Sequence, residues 1–162
     1  MKKTKRLTYV TMLSAMAIVI HIFEGTFIPP IAMGVKFGLA NIIALIALEL
    51  FGVKEMVIVN TMRVVIGSLL RGTLFGSVFW ISAGGVVLSS LILIVTYYLK
   101  SSIVFKSILS AFAHSCGQIM VVMLLYQQSS MMIYLPVMLA TAVPTGILTG
   151  VISTLVLKRI KI

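Results

Sequence analysis

The sequence predicts an all-α integral membrane protein with six transmembrane helices, and three observations lead to this prediction. Hydrophobic residues make up 60% of the 162-residue chain, charged residues make up 10%, and the mean hydropathy is +1.20. A soluble domain of this size could not hide so much apolar surface, because roughly half of any soluble surface is polar. The apolar residues also form six segments, each close to the ~20 residues that a bilayer requires.

The six segments follow one another with short connections, so we expect a single membrane domain over residues 1–162. The predicted spans are about 8–24, 36–51, 54–71, 74–99, 106–126 and 134–157. The first apolar run continues to about Phe23 without a small-x-small cleavage pattern, so we interpret it as a retained span and not a signal peptide. Pro29 and Pro30 exclude a continuous helix in the first connection. The other connections are "GVK" (52–54), "RGT" (71–73), "KSSIVFK" (100–106) and "QQSSMM" (127–132).

Small residues within the spans predict close helix packing, since small side chains let helices approach each other in lipid. They are dense in span one around Thr11 and Ala15, in "SAGG" of span four and in "TAVPTGILTG" of span six. Pro144 is expected to kink span six, because proline removes a backbone donor and crowds the preceding turn.

The distribution of positive charge predicts the orientation in the membrane. The chain has 13 Lys and Arg against three acidic residues, a net charge of +10. With six spans both termini lie on one side, which holds ten of these cations, whereas only Lys36 and Arg71 lie near the other surface. Positive residues mark the cytoplasmic side, so we expect both termini in the cytoplasm. The charge lies at the ends of apolar segments, and this favours lipid headgroups over nucleic acid as its partner.

Several catalytic classes lack the residues they would need. One cysteine, Cys116, excludes an internal disulfide, and two histidines with one cysteine do not make a zinc site. The sequence has no phosphate-binding Gly-rich loop, no Asp-rich motif to hold magnesium on a diphosphate, and no serine with a His/Asp set. We therefore expect no catalytic residues, no metal and no cofactor, and any ATP hydrolysis would belong to partner subunits.

Arg63 lies near the middle of span three, where a charge costs ~2.5–3.5 kcal/mol on insertion scales. It shares one helical stripe with Asn60, Gly67 and Arg71. By the predicted placement, no carboxylate lies at the depth of Arg63, because Glu24 belongs to the outer end of span one. Arg63 is therefore expected to face a ligand or a water-filled cavity, and a structural ion pair is the alternative.

Other polar residues could share that cavity. His114 and Gln118 lie one helical turn apart in span five at a similar depth, and Asn41 lies five residues inside span two. Lys36 and Arg71 stand at the outer ends of their spans. We interpret Lys36, Asn41, Arg63, Arg71, His114 and Gln118 as candidate substrate-binding residues. Interhelical hydrogen bonding is the alternative for the uncharged members, and snorkelling to the interface is the alternative for Lys36 and Arg71. His21 and Glu24 could cap the first loop or touch a ligand.

The sequence also resembles a known family, heptaprenyl diphosphate synthase component I, which is also called Gx transporter. The resemblance covers about Gly34 to the C-terminus and rests on the order and spacing of these motifs: "GVKFGLANIIAL" (34–45), "RVVIGSLLRGTLF" (63–75), "SAGGVVLS" (82–89), "AHSCGQ" (113–118), "YLPV" (134–137) and "TGILTGV" (145–151). That family looks distantly like the substrate-binding S components of energy-coupling factor (ECF) transporters. Those are six-helix proteins of the bacterial cell membrane with cytoplasmic termini.

The resemblance implies a function and a set of partners. S components bind a micronutrient from outside and work with a membrane coupling subunit and two ATPases, which they contact through an Ala-xxx-Ala pattern in the first span. Thr11-xxx-Ala15 is the nearest equivalent here. The predicted function is thus capture of a small solute from the outer side. The resemblance does not identify that solute, but the cationic candidate residues favour a carboxylate or phosphate, for example a flavin-, quinone- or isoprenoid-related compound. The alternative is a non-catalytic membrane accessory subunit of isoprenoid diphosphate or quinone synthesis.

Overall fold

A computed structural model describes residues 3–26 and 39–160 of the chain, and these residues are helical apart from short connections. The described part contains α1 (Lys3–Thr26), α2 (Leu39–Phe51), α3 (Val53–Leu70), α4 (Ser77–Tyr98), α5 (Ile103–Tyr126) and α6 (Leu135–Arg159). A short 3₁₀ helix, Ser129–Tyr134, precedes α6. Six helices thus lie where six apolar segments were predicted. The first connection, with Pro29, Pro30 and Lys36, falls largely outside the described residues.

The connections show why each helix stops where it does. Gly52 alone separates α2 from α3. Its φ is 100°, a backbone conformation that a residue with a side chain could adopt only with strain. Gly72, at a φ of 67°, follows the end of α3. Ser102 caps α5 by accepting a hydrogen bond from the Phe105 amide at 3.3 Å. The "QQSSMM" segment is not a simple turn as predicted, since it continues from a left-handed Gln127 into the 3₁₀ helix.

The helices alternate in direction along the chain, and α2 lies at the centre. It packs against α1, α3, α5 and α6, and its apolar side chains Ile43 to Leu48 are all buried. The main apolar core joins all of these residues except Ile46 to Ala17, Met56 and Leu93 from the neighbouring helices. A helix that is apolar all round and enclosed by others needs no amphipathic pattern.

Glycines allow the closest helix contacts, between α4 and α5 and between α5 and α6. A Cβ built on Gly117 would lie 2.4 Å from the Gly84 carbonyl oxygen, and one built on Gly150 would lie 2.8 Å from the Val104 Cα. The small residues of "SAGG" and "TGILTG" therefore serve as helix-packing positions, as predicted. The α6 helix continues through Pro144 from Leu135 to Arg159.

Four helical segments are long and apolar enough to cross a membrane: Lys3–Glu24, Ser77–Tyr98, Ile103–Tyr126 and Ser129–Arg159. They expose large apolar side chains such as Val19, Leu91, Leu124 and Leu155, which suits contact with lipid. These features are those of a multi-pass membrane protein. The α2 helix has only 13 residues, and α3 carries Lys54, Glu55 and Arg63, so neither meets the same standard of length and composition.

Two ion pairs hold the end of the bundle that contains the start of α1. Arg6 Nη2 lies 2.8 Å from Glu55 Oε1 and also donates to the Phe51 carbonyl at 2.7 Å. Lys106 Nζ lies 2.5 Å from Glu49 Oε1, and Lys106 is 4% exposed. Two of the three glutamates of the sequence are therefore committed to cations at this end, and only Glu24 remains for the other end.

Candidate functional site

A polar cavity of about 60 Å³ lies in the half of the bundle opposite the N-terminus of α1. Every one of the six helices contributes to its lining: the C-terminal halves of α1 and α3, the N-terminal halves of α2 and α4, the middle of α5, and α6 from near its start to its middle. The groups that can ionise or hydrogen-bond strongly are His21, Glu24, Asn41, Arg63, His114 and Gln118. Such a convergence of polar side chains from separate helices is typical of a binding site.

Arg63 is the central charge of this cavity and is 2% exposed. Its Nη1 donates a hydrogen bond to Asn41 Oδ1 at 3.1 Å. Among the residues that the structure describes, its Nε has no hydrogen-bond partner. A buried donor without a partner costs about 1–3 kcal/mol, and more when it is charged. The guanidinium therefore keeps an unused donor beside a cavity large enough for a water molecule or a ligand atom.

Glu24 is the second charge of the cavity, and the prediction that no carboxylate neighbours Arg63 is wrong. Glu24 is 3% exposed and interacts electrostatically with Arg63. Among the described residues the ion pairs within 4.0 Å are those of Arg6 and Lys106, so Glu24 acts on Arg63 across a longer gap. Its Oε1 accepts instead from the Leu39 amide at 2.7 Å. That amide is the first of α2, where a carboxylate is favoured.

His114 and Gln118 enter the cavity from α5 because α4 gives them room. A Cβ built on Gly85 would lie 2.7 Å from His114 Cε1 and 2.9 Å from Gln118 Cγ. Both side chains thus pack directly over a glycine of "SAGG". Gly67 of α3 holds His21 in the same way, since its Cβ would lie 2.9 Å from His21 Cδ2. The positions of three polar side chains therefore depend on two glycines.

A row of threonines on α6 completes the wall, and the sequence analysis did not single it out. Thr141, Thr145 and Thr149 line the cavity one turn apart. Each hydroxyl donates to a carbonyl of its own helix at 2.9 Å. Thr149 Oγ1 also lies 2.7 Å from Ser107 Oγ, so the oxygens of Thr141 and Thr145 are the ones that can still accept a hydrogen bond from a solute. Their i, i+4, i+8 spacing is visible in the sequence and is the signal that could have revealed them. Ser82 and Ser115 also line the cavity.

The structure thus brings together four of the six candidate binding residues, namely Asn41, Arg63, His114 and Gln118. Lys36 lies outside the described residues. Arg71 caps the C-terminus of α3, is half-buried and does not line the cavity. Whether the four bind a solute stays a prediction, and their common location is the finding.

The donors of the cavity suit the binding of an anion or a carbonyl group. Among the described residues, no group of three or more histidine, cysteine or acidic side chains could hold a metal ion. The guanidinium and the two amides can hold an oxyanion or a carbonyl in fixed orientation, since these groups present donors in defined directions.

Comparison with known proteins identifies a family. A family model described as heptaprenyl diphosphate synthase component I matches residues 13–156. The match includes every described residue that lines the polar cavity. No curated protein and no solved structure matches the chain.

Proposed function

The chain belongs to the heptaprenyl diphosphate synthase component I family, and from that premise we propose that it is the substrate-binding membrane subunit of a transporter of the energy-coupling factor type. It captures a small anionic solute from the outer side of a bacterial cell membrane. The observation that supports this proposal is the Arg63 guanidinium, buried beside a polar cavity with one donor unused among the described residues.

The proposal includes six spans with both termini in the cytoplasm. The described part of α2, Leu39–Phe51, has 13 residues and is about 20 Å long, which covers part of a ~30 Å hydrocarbon core. It is enclosed by other helices, so it need not match the length of a lipid-facing helix. Arg63 of α3 faces the cavity and not the lipid, which reduces the cost of its charge. The bias of positive charge then places the cavity in the outer half of the protein.

A coupling surface follows from the same proposal. Thr11 and Ala15 are both exposed on α1, one turn apart, and they form a small-xxx-small surface on which a partner helix could pack closely. We expect Ala15→Trp to leave solute binding unchanged and to abolish co-purification with a coupling subunit. Ser14→Trp is not a suitable control because Ser14 is buried. Met16→Trp is the better control, because Met16 is exposed and lies about 100° around the helix from Ala15.

The family description favours one rival function. A synthase "component I" implies a second component, and the chain would then be the membrane accessory subunit of isoprenoid diphosphate synthesis. Cross-linking in native membranes separates the two proposals. A transporter subunit would yield a membrane coupling subunit and ATPases, and an accessory subunit would yield a soluble prenyl synthase.

The direct test of binding uses Arg63. Native mass spectrometry of the purified protein would identify a co-purifying solute, and melting curves with added phosphate or acetate would measure anion binding. Arg63→Ala should weaken binding at least tenfold, since a hydrogen bond to a charged group contributes about 1.5–3 kcal/mol. Arg63→Lys should recover only part, because lysine lacks the planar fork.

Lys106→Gln is the matched control, because Lys106 is also buried but is paired with Glu49 away from the cavity. It should lower the melting temperature and leave anion affinity unchanged. Equal affinity in the wild type and in Arg63→Ala would remove the basis of the proposal.

A further inference from the structure

A second cavity lies directly beside the polar one, and its character is different. It has a volume of about 340 Å³ and lies between α4, α5, the 3₁₀ helix and the start of α6. Its walls are mainly apolar, with Ile81 from α4, Ile119 and Val122 from α5 and Met131 from the 3₁₀ helix.

Two side chains belong to both cavities. Gln118 and Met138 line the polar cavity on one side and the apolar cavity on the other. The two spaces therefore adjoin each other at Gln118 and Met138. Methionine has three rotatable bonds and adapts readily to a neighbour, and the Gln118 amide can direct its hydrogen bonds to a polar group in either space.

The sizes of the two cavities support a division of roles. The polar cavity, at about 60 Å³, has room for a small head group but not for a whole vitamin-sized molecule. Binding sites for such molecules measure roughly 300–1,000 Å³ and are mostly apolar with a few polar groups. The apolar cavity, at about 340 Å³, falls within that range, and none of the described residues that line it is charged. Within the described part of the chain, the two cavities together offer both the volume and the charge.

We propose that the two cavities form one bipartite site for an amphipathic anion. A carboxylate or phosphate head binds in the polar cavity at Arg63, and a hydrocarbon tail or ring passes between Gln118 and Met138 into the apolar cavity. This inference rests on the proposed solute-binding function and narrows its substrate to one chemical class. A small, wholly hydrophilic anion is excluded as the preferred solute, because it would leave the larger cavity without an apolar occupant.

A series of n-alkyl phosphates from methyl to octyl tests the inference. The protein would be placed in lipid nanodiscs, and binding would be measured by calorimetric titration with empty nanodiscs as the blank. Affinity should rise about fourfold per methylene, the equivalent of the ~0.8 kcal/mol of a buried CH₂, and should level off once the apolar cavity is full. The n-alkyl carboxylates of equal length distinguish a phosphate head from a carboxylate head.

Variants that fill the apolar cavity should change only the way in which affinity depends on the length of the alkyl tail. Val122→Phe and Ile81→Phe each reduce its volume from a different helix, so at least one is expected to fold. In either variant methyl phosphate should bind as in the wild type, and the gain with chain length should stop several carbons earlier. Met120→Phe is the matched control, since Met120 lies on α5 but is exposed on the lipid side.

The outcomes separate this inference from the proposed function. If methyl phosphate binds and requires Arg63 but longer tails add nothing, the binding function stands and the bipartite site is wrong. If the gain with tail length is the same in Val122→Phe and Ile81→Phe as in the wild type, the tails partition into lipid and the inference also fails. If alkyltrimethylammonium ions of equal length bind better than the phosphates, Glu24 and not Arg63 selects the head, and the inference is overturned. If no member of the series binds, both the inference and the proposed function fail.

Discussion

Replacing Gly85 by alanine tests whether His114 and Gln118 contact the solute, without removing a polar group. The added methyl group would lie 2.7 Å from His114 Cε1 and 2.9 Å from both His114 Nδ1 and Gln118 Cγ. Ordinary van der Waals contact begins near 3.4 Å. The two side chains must therefore move, because the helix backbone that carries the methyl group is the stiffer partner.

The size of the movement sets the expected effect. Widening the His114 contact from 2.7 to 3.4 Å requires a displacement of about 0.7 Å. A hydrogen bond of about 2.9 Å stretched by that amount is no longer a hydrogen bond. Loss of one such bond to a bound solute costs about 1–3 kcal/mol, so affinity should fall roughly 5- to 150-fold. In Gly85→Ala the overpacked contact should cost about 1–3 kcal/mol of stability. Alanine favours a helix by up to about 1 kcal/mol relative to glycine, which offsets part of that cost.

The assay compares affinity with stability in two glycine variants. Gly85→Ala should lose affinity strongly and stability slightly, measured by calorimetric titration with butyl phosphate and by melting curves. Gly150→Ala is the control, because its methyl group would lie 2.8 Å from the Val104 Cα and would push α5 and α6 apart outside the cavity lining. It should lose stability strongly and, where folded, keep its affinity.

The reasoning would be refuted by wild-type affinity in Gly85→Ala. His114 and Gln118 would then be packing residues between α4 and α5, and Arg63 with Asn41 would remain as the binding groups. A loss of affinity in proportion to the loss of stability in both variants would likewise show that Gly85 acts through the helix contact and not through the two side chains.

Two further predictions concern the ends of the bundle. In a Cys116→Ser background, a cysteine that replaces Ser129 should react with a membrane-impermeant thiol reagent in intact cells, and one that replaces Ser102 should not. The reverse labelling pattern would show that the orientation is opposite to the proposed one. Glu49→Gln should lower the free energy of unfolding by about 3 kcal/mol, because it leaves the Lys106 charge buried without its partner. In reversible unfolding experiments, the double variant with Lys106→Met should regain most of this stability. If it regains none, the pairing of Lys106 with Glu49 is contradicted.

The helices could be predicted from the sequence because long apolar runs and glycine breaks are local signals. Gly52 separates α2 from α3 at a positive φ, and "GVK" indicated this break. The extent of α1 was less predictable, since it begins at Lys3 and continues to Thr26, beyond both ends of the apolar run. Charged residues at a helix end do not stop the helix when it extends past the hydrocarbon, so hydropathy locates the membrane-embedded part and not the helix limits.

The candidate site could be predicted from the sequence at those residues whose polar side chains would be energetically costly within an apolar membrane span. Arg63 and Asn41 stood out as polar groups within apolar spans, and they form a hydrogen bond of 3.1 Å. For Glu24 the sequence left two roles open, a cap of the first loop or a contact with a ligand. Only the packing of α1 beside α2 shows that its carboxylate accepts from the Leu39 amide, on the far side of that loop. The apolar cavity had no local signal at all, since Ile81, Val122 and Met131 are ordinary residues that become a cavity only through packing.

Two hydrogen bonds join the described start of α2 to the polar cavity. The Leu39 amide donates to Glu24 Oε1 at 2.7 Å, and Arg63 Nη1 donates to Asn41 Oδ1 at 3.1 Å. Polar groups that lie among apolar helices are costly when they have no partner, so these two contacts stabilise the packing of α2 against α1 and α3. Glu24, Asn41 and Arg63 also line the cavity. The groups proposed to bind a solute are therefore groups that hold three helices together, and Arg63→Ala should lower the melting temperature as well as the affinity, so each affinity has to be compared with a melting curve of the same variant.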